Sequence, residues 1–134
     1  MIKPTTDIKK INSVLKHPFI WPRVSDKHQS KEEYTPPMDD VHYLYEDGVL
    51  FILHEVGGKL EIHANVIPES REKAEEAARE ALRYGFDELG AIEIIAEIPE
   101  KYGEVYGFAV KFLKDVGFYD GNHHLALRVE EWAL

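Results

Sequence analysis

Apolar residues recur along this chain with two periods, and the switch between them outlines the fold. In residues 5–16, TTDIKKINSVLK, Ile8, Ile11, Val14 and Leu15 fall three or four positions apart. That is the spacing of one helix face, and Thr5 or Thr6 is placed to cap it. His17-Pro18 predicts the end of this helix, because a residue before proline is pushed out of the helical region. Residues 18–40 carry four prolines and no period. They read as a long irregular connection, and one of that length in a compact domain is usually functional or mobile.

From residue 42 the period falls to two. HYLYE (42–46) alternates, and VLFILHEV (49–56) and KLEIHANVI (59–67) flank Gly57-Gly58, a two-residue hairpin signal. Setting Val56 opposite Lys59 places Leu53 against Ile62, Phe51 against Ala64 and Val49 against Val66. These apolar pairs share one face, so the register is self-consistent. The other face pairs His54 with Glu61, Ile52 with His63 and Leu50 with Asn65.

Residues 69–84 return to helical spacing, with Ala74, Ala77, Ala78 and Ala81 as a stripe of small residues suited to close packing on a sheet. AIEIIAEI (91–98) predicts a buried strand. Residues 102–115, YGEVYGFAVKFLKD, predict a second helix on that sheet, with Val105, Phe108, Ala109, Phe112 and Leu113 inward. GFYD (117–120), a turn at Gly121-Asn122 and the alternating HHLALRVEEWAL predict two closing strands. The order α, loop, β-β-β, α, β, α, β, β is that of one α/β domain over 1–134. Its mixed central sheet has helices packed on both faces; residues 1–41 form an N-terminal helix and long loop, and 42–134 the core.

Composition narrows the function classes. At 134 residues, 44% hydrophobic and 11% aromatic, the chain can bury a real core. It has no cysteine, which removes disulfides, thiolate zinc sites and cysteine nucleophiles together. No apolar run approaches the ~18 residues of a membrane span, and MIKPTTDIKKIN has no apolar leader core, so the expectation is a cytoplasmic protein with no membrane partner. The net charge of −9 argues against nucleic acid, which needs a basic surface. Residues 1–33 are nevertheless basic (seven bases, four acids) and 69–104 acidic (five bases, eleven acids), an asymmetry that suits self-association or a protein partner. His123-His124 makes a poor metal pair, since neighbours on a strand point to opposite faces, so no metal is expected. Trp21, within PFIWPRV, and Trp132 anchor loops or a partner surface. No Ser or Thr sits in a GxSxG-like setting, so serine hydrolysis has no support.

The element order, together with residues 66–118, resembles the GNAT superfamily of N-acetyltransferases. In that family the central sheet parts into a V. A loop of the form Gln/Arg-x-x-Gly-x-Gly/Ala then wraps the pyrophosphate of acetyl-CoA at a helix start, where bare amides and the helix dipole attract an anion. The resemblance places that loop on Arg71, Glu72, Lys73, Ala74 and Glu76, just after Val66 and Ile67 at the strand end. Arg71 matches; Ala74 and Glu76 replace small positions. Glu72, Glu75 and Glu76 would repel a pyrophosphate if they faced it. A second family motif falls on Tyr106–Phe118. Ala109, Phe112, Gly117 and Phe118 match its packing positions. Tyr106 stands where the family often has an asparagine, and Leu113 where it often has the tyrosine that protonates the departing thiolate. Leucine cannot donate a proton.

The resemblance implies acetyl-CoA as cofactor and a base for the incoming amine. Glu61 and His63, two residues apart on one strand face, are the candidates, with Tyr102 or Tyr106 as a substitute acid. KINSVLKHPFIWPRVSD, EIHANVIPESR and AEIPEKYGEVYGFAVKFLKDVGF are further similar to a small group of tailed-phage, head-associated acetyltransferase-like proteins. That implies a place in the host cytoplasm or the virion. Two functions follow: a structural or interaction role on a scaffold with a degenerate acetyl-CoA site, or an active acyl-CoA-dependent N-acyltransferase with an atypical pyrophosphate loop. The matching residues pack the fold and the mismatched ones bear chemistry, which favours the first.

Overall fold

The computed structural model describes residues 1–26, 28–97, 104–120, 125–128 and 130, and only the backbone of 104–109 and 120. Three strands, β2 (Val41–Glu46), β3 (Val49–Val56) and β4 (Lys59–Val66), form an antiparallel meander. The β3–β4 register is the one the apolar pairs demand, from Val49↔Val66 to Val56↔Lys59. Gly57 and Gly58, at φ 55° and 82°, make the turn in a backbone region that other residues enter only with strain.

Around this meander the described residues extend the sheet to seven strands, in the order β1-β2-β3-β4-β5-β7-β6. The short β1 (Lys3–Thr5) adds to the β2 edge; β5 (Glu93–Ala96) lies parallel to β4; β7 (Leu125–Arg128) and β6 (Tyr119–Asp120) close the other side. The mixed sheet carries helices on both faces, as its sequence pattern demanded. Helix α3 (Ala74–Arg83) lays Ala77, Ala78, Ala81 and Leu82 on the face of Val49, Phe51, Leu53, Leu60 and Ile62. Helix α1 (Ile8–Leu15) covers the opposite face, with Ile11, Val14 and Leu15 against Tyr43 and Leu50. Leu50 and Phe51 are neighbours on β3 and both fully buried, so that strand is buried on both sides. Leu113 of α4 (Glu104–Asp115) and Val116 just beyond it join the α3-side core.

The differences from expectation are local. Helix α1 begins three residues late because Thr5 pairs with Tyr43 in β1; Asp7 takes over as cap, its carboxylate accepting from the Lys9 N–H at 3.0 Å. The connection 18–40 contains a short helix, α2 (Trp21–Val24), and Trp21 meets Tyr34 edge-on at 5.4 Å. The helix expected over 69–84 is three pieces: a 3-10 helix at Pro68–Lys73, then α3, then a π turn at Tyr84–Glu88. Tyr102, the Gly121-Asn122 turn, His123, His124 and Trp132 lie outside the described residues.

Candidate functional site

Strands β4 and β5 pair only at Leu60↔Ile94 and Glu61↔Ile95. Beyond Glu61 no described strand pairs with that edge of β4, and a cleft of about 680 Å³ opens there. Residues Ile62–Val66 run along it, with Ala96 and Glu97 of the β5 end and Phe112 and Leu113 of α4 also lining it. Another wall is the N-terminal segment, through Leu15, Phe19, Ile20, Arg23, Val24 and Tyr34, and Ile52, Arg71 and Ala74 complete the lining. Main-chain groups along this edge of β4 have no strand partner on that side among the described residues.

Of the residues expected to carry chemistry, His63 lines this cleft. Its Nε2 lies 2.8 Å from Glu61 Oε1, the neighbour two positions back on the same strand face. Glu61 is not among the residues that line the cleft. Tyr106 lies on the described backbone of α4 but its side chain is outside the description.

The residues expected to hold a cofactor divide sharply. Val66, Arg71 and Ala74 line the cleft. Ile67 instead packs beside the α1-side core. Lys73 reaches Asp47 at 3.7 Å, and Glu72 and Glu76 are exposed and do not line the cleft. Glu75 pairs with Arg79 at 3.0 Å on the outer surface of α3. The carboxylates that the sequence sets beside the anion position therefore face elsewhere. The Arg71 guanidinium stands over the Phe19 ring at 5.4 Å and meets no carboxylate among the described residues. Arg23 stacks on the same ring at 3.9 Å, and its Nη1 donates to the Phe19 carbonyl.

The turn that carries Arg71 is tied down from below. Gly48, at φ 84° in the β2–β3 turn, accepts from the Ile67 N–H at 3.0 Å, and Ser70 Oγ donates to the Asp47 carbonyl at 2.8 Å. The 3-10 winding also uses amides that a phosphate-binding loop would leave open. The Ser70 N–H donates to the Ile67 carbonyl, and the Ala74 N–H to the Arg71 carbonyl. Positive charge at this rim thus comes from the Arg71 side chain rather than from a nest of bare amides.

Sequence reasoning did not single out Phe19, Arg23, Tyr34, Ile52, Asn65 or Glu97 as site residues, yet all six line the cleft. Three belong to the aperiodic connection, whose docking no local pattern encodes. Asn65 carried a signal: it faces Leu50 in the register, a polar residue paired with an apolar one. It is 6% exposed and its Nδ2 finds no partner among the described residues. Among the described residues there is no group of three metal-ligating side chains and no helix long and apolar enough to cross a membrane.

No family model matches the chain, and neither does any curated protein at the level of sequence. Solved structures do match in shape. A chimera of the Vibrio cholerae spermidine N-acetyltransferase SpeG and hSSAT superposes with a TM-score of 0.73 at 14% identity, covering 100% of this chain and 99% of that one. A second SpeG–hSSAT chimera gives 0.75 at 14%, covering 99% and 97%. The dodecameric spermidine N-acetyltransferase of Vibrio cholerae in an intermediate state gives 0.72 at 13%, covering 98% and 95%. Strand order, parted sheet and superposition together give this chain the mixed α/β fold of the GNAT-type acetyltransferases.

Proposed function

We propose that the chain is an acyl-CoA-dependent N-acyltransferase whose reaction takes place in the cleft between β4 and β5. The observation that carries this reading is that one cavity gathers the edge of β4 beyond Glu61, His63, whose Nε2 meets Glu61 outside the lining, and Arg71. The cavity fits such a cofactor on its own features. It is largely apolar, and among the described residues the edge of β4 along it has no strand partner and the cation at its rim, Arg71, meets no carboxylate. Arg71 would hold the phosphate end, and the Val66–Ala74 side would flank the arm. When bound, acyl-CoA supplies an activated thioester carbonyl. As the amine nitrogen bonds to the acyl carbon and the bond to sulfur breaks, His63 takes the amine proton and returns it to the departing sulfur, and Glu61, 2.8 Å away, balances the charge in between.

Thiol release from acetyl-CoA in the presence of amines tests this reading. His63→Ala should lower kcat by roughly 10²–10⁴-fold, the usual contribution of a general base. The KM for acetyl-CoA should stay unchanged, and added imidazole should restore part of the rate. Equal turnover by wild type and His63→Ala would remove the base from the account.

A second reading keeps the scaffold and discards the chemistry, giving an interaction protein, for instance in a phage head. It is supported by Leu113, which is buried where the resemblance sets an acid, and by the Ala74 N–H, which is already bonded. Homo-oligomer formation is compatible with both readings, since one structural neighbour is dodecameric. Turnover of acetyl-CoA with any amine excludes the purely structural reading.

A further inference from the structure

We infer that Asn65 receives the acyl oxygen: its Nδ2 donates a hydrogen bond to the carbonyl oxygen of the thioester bound in the cleft. The inference rests on the proposed function for what enters the cleft, and on Asn65 itself for where the oxygen goes. Asn65 lines the cleft, is 6% exposed, and its Nδ2 meets no acceptor among the described residues. An amide N–H taken out of water with no acceptor costs the fold its full desolvation penalty. A leucine would fill the same place, opposite Leu50, without that penalty. Asn12 Oδ1 is also buried without a partner among the described residues, but Asn12 does not line the cleft.

The position of Asn65 along β4 selects the oxygen it meets. The register sets His63 opposite Ile52 and Asn65 opposite Leu50, so the two share one strand face. Two strand residues span roughly 7 Å. In the other direction Val66 ends β4 and leads to the turn that carries Arg71. A ligand that reaches from Arg71 to His63 along β4 therefore passes Asn65, and the part of it nearest His63 is the acyl group. Besides His63, the uncharged side-chain donors in the described lining are Asn65 and Tyr34, and Tyr34 belongs to the connection rather than to β4. While the amine nitrogen bonds to the acyl carbon, negative charge gathers on the acyl oxygen. It leaves again as the carbon–sulfur bond breaks and sulfur departs with the bonding pair, taking the amine proton by way of His63. A buried amide donor at that oxygen strengthens its hydrogen bond as the charge grows.

Calorimetric titration of wild type and Asn65→Leu with acetyl-CoA and with CoA, which lacks the acyl oxygen, tests the inference. The substitution should weaken acetyl-CoA roughly three- to ten-fold, the worth of one hydrogen bond, and leave CoA unchanged. Infrared spectra with carbonyl-labelled acetyl-CoA should place the bound carbonyl stretch at lower frequency in the wild type than in the variant, whether or not turnover occurs. Ligand-free Asn65→Leu should resist urea at least as well as the wild type. Unchanged acetyl-CoA affinity, equal weakening of both ligands, an unshifted carbonyl stretch, or a less stable variant would each overturn the inference. If the wild type binds CoA in any of these cases, the transferase reading still stands. If the wild type binds neither ligand, that reading fails and takes the inference with it.

Discussion

At the scale of single residues, position along the chain and direction in space are separate facts. The segment Arg71–Glu76 is acidic as text, but a helix start sends its side chains in several directions. Arg71 and Ala74 turn to the cleft; Glu75 and Lys73 find partners outside it. The 61–63 pair was legible, because strand alternation fixes a common face and hairpin register fixes which face. Asn65 was legible only as an anomaly, a polar residue opposite Leu50. Tyr43 offers a separate test. Burial, with the Tyr34 phenol nearby, pushes its phenol up to about 12, and its hydroxyl donates to the Pro37 carbonyl at 2.7 Å. The folded state holds the neutral form, so this contribution is fully present below the unfolded value of about 10 and is lost as pH climbs towards 12. Urea unfolding at pH 8 and 11 should show a loss in the wild type that Tyr43→Phe reduces. At pH 8 the variant should be weaker by about 0.5–1.5 kcal/mol, the net worth of one hydrogen bond.

At the scale of elements, the long periodic segments were readable and the short ones were not. β3 and β4 follow from alternation and Gly57-Gly58. β1 has three residues and exists because Lys3–Thr5 meets Tyr43–Tyr45, some 40 positions away; no local window contains that partner. α2 has four residues and rests on tertiary contacts of the same kind. The β2–β3 turn is the element that positions the site. A Cβ at Gly48 would come within 2.7 Å of two Ile67 side-chain atoms and closer still to Ser70 Oγ, at a backbone φ of 84°. Gly48→Ala should therefore destabilise the fold by about 1–3 kcal/mol. It should also weaken acetyl-CoA binding, because the 67–70 turn that carries Arg71 must shift. Chemical denaturation and cofactor titration on the same samples check both effects; a stable variant with unaltered binding would show that this turn does not set the site.

At the scale of the whole molecule, a chain of net charge −9 presents a cleft whose rim is cationic. Long-range repulsion and short-range attraction then oppose each other for an anionic ligand. Raising salt from ~0.05 to ~0.3 M, which shortens the screening length to well below the size of the domain, should change acetyl-CoA affinity by no more than a few-fold. A steep loss would mean that the local cations dominate alone. The parted sheet itself was foreseeable only through the resemblance, since no local pattern in the sequence marks the point where β4 and β5 separate. The central claim is that Arg71 holds the anionic end of an acyl-CoA in this cleft. The direct measurement is thermal and chemical stability with increasing acetyl-CoA, for wild type and Arg71→Glu. The account predicts stabilisation of about 2.7 kcal/mol in the wild type at a ligand concentration 100 times Kd, abolished by the substitution. No stabilisation at millimolar acetyl-CoA, or the same stabilisation in both proteins, would contradict it.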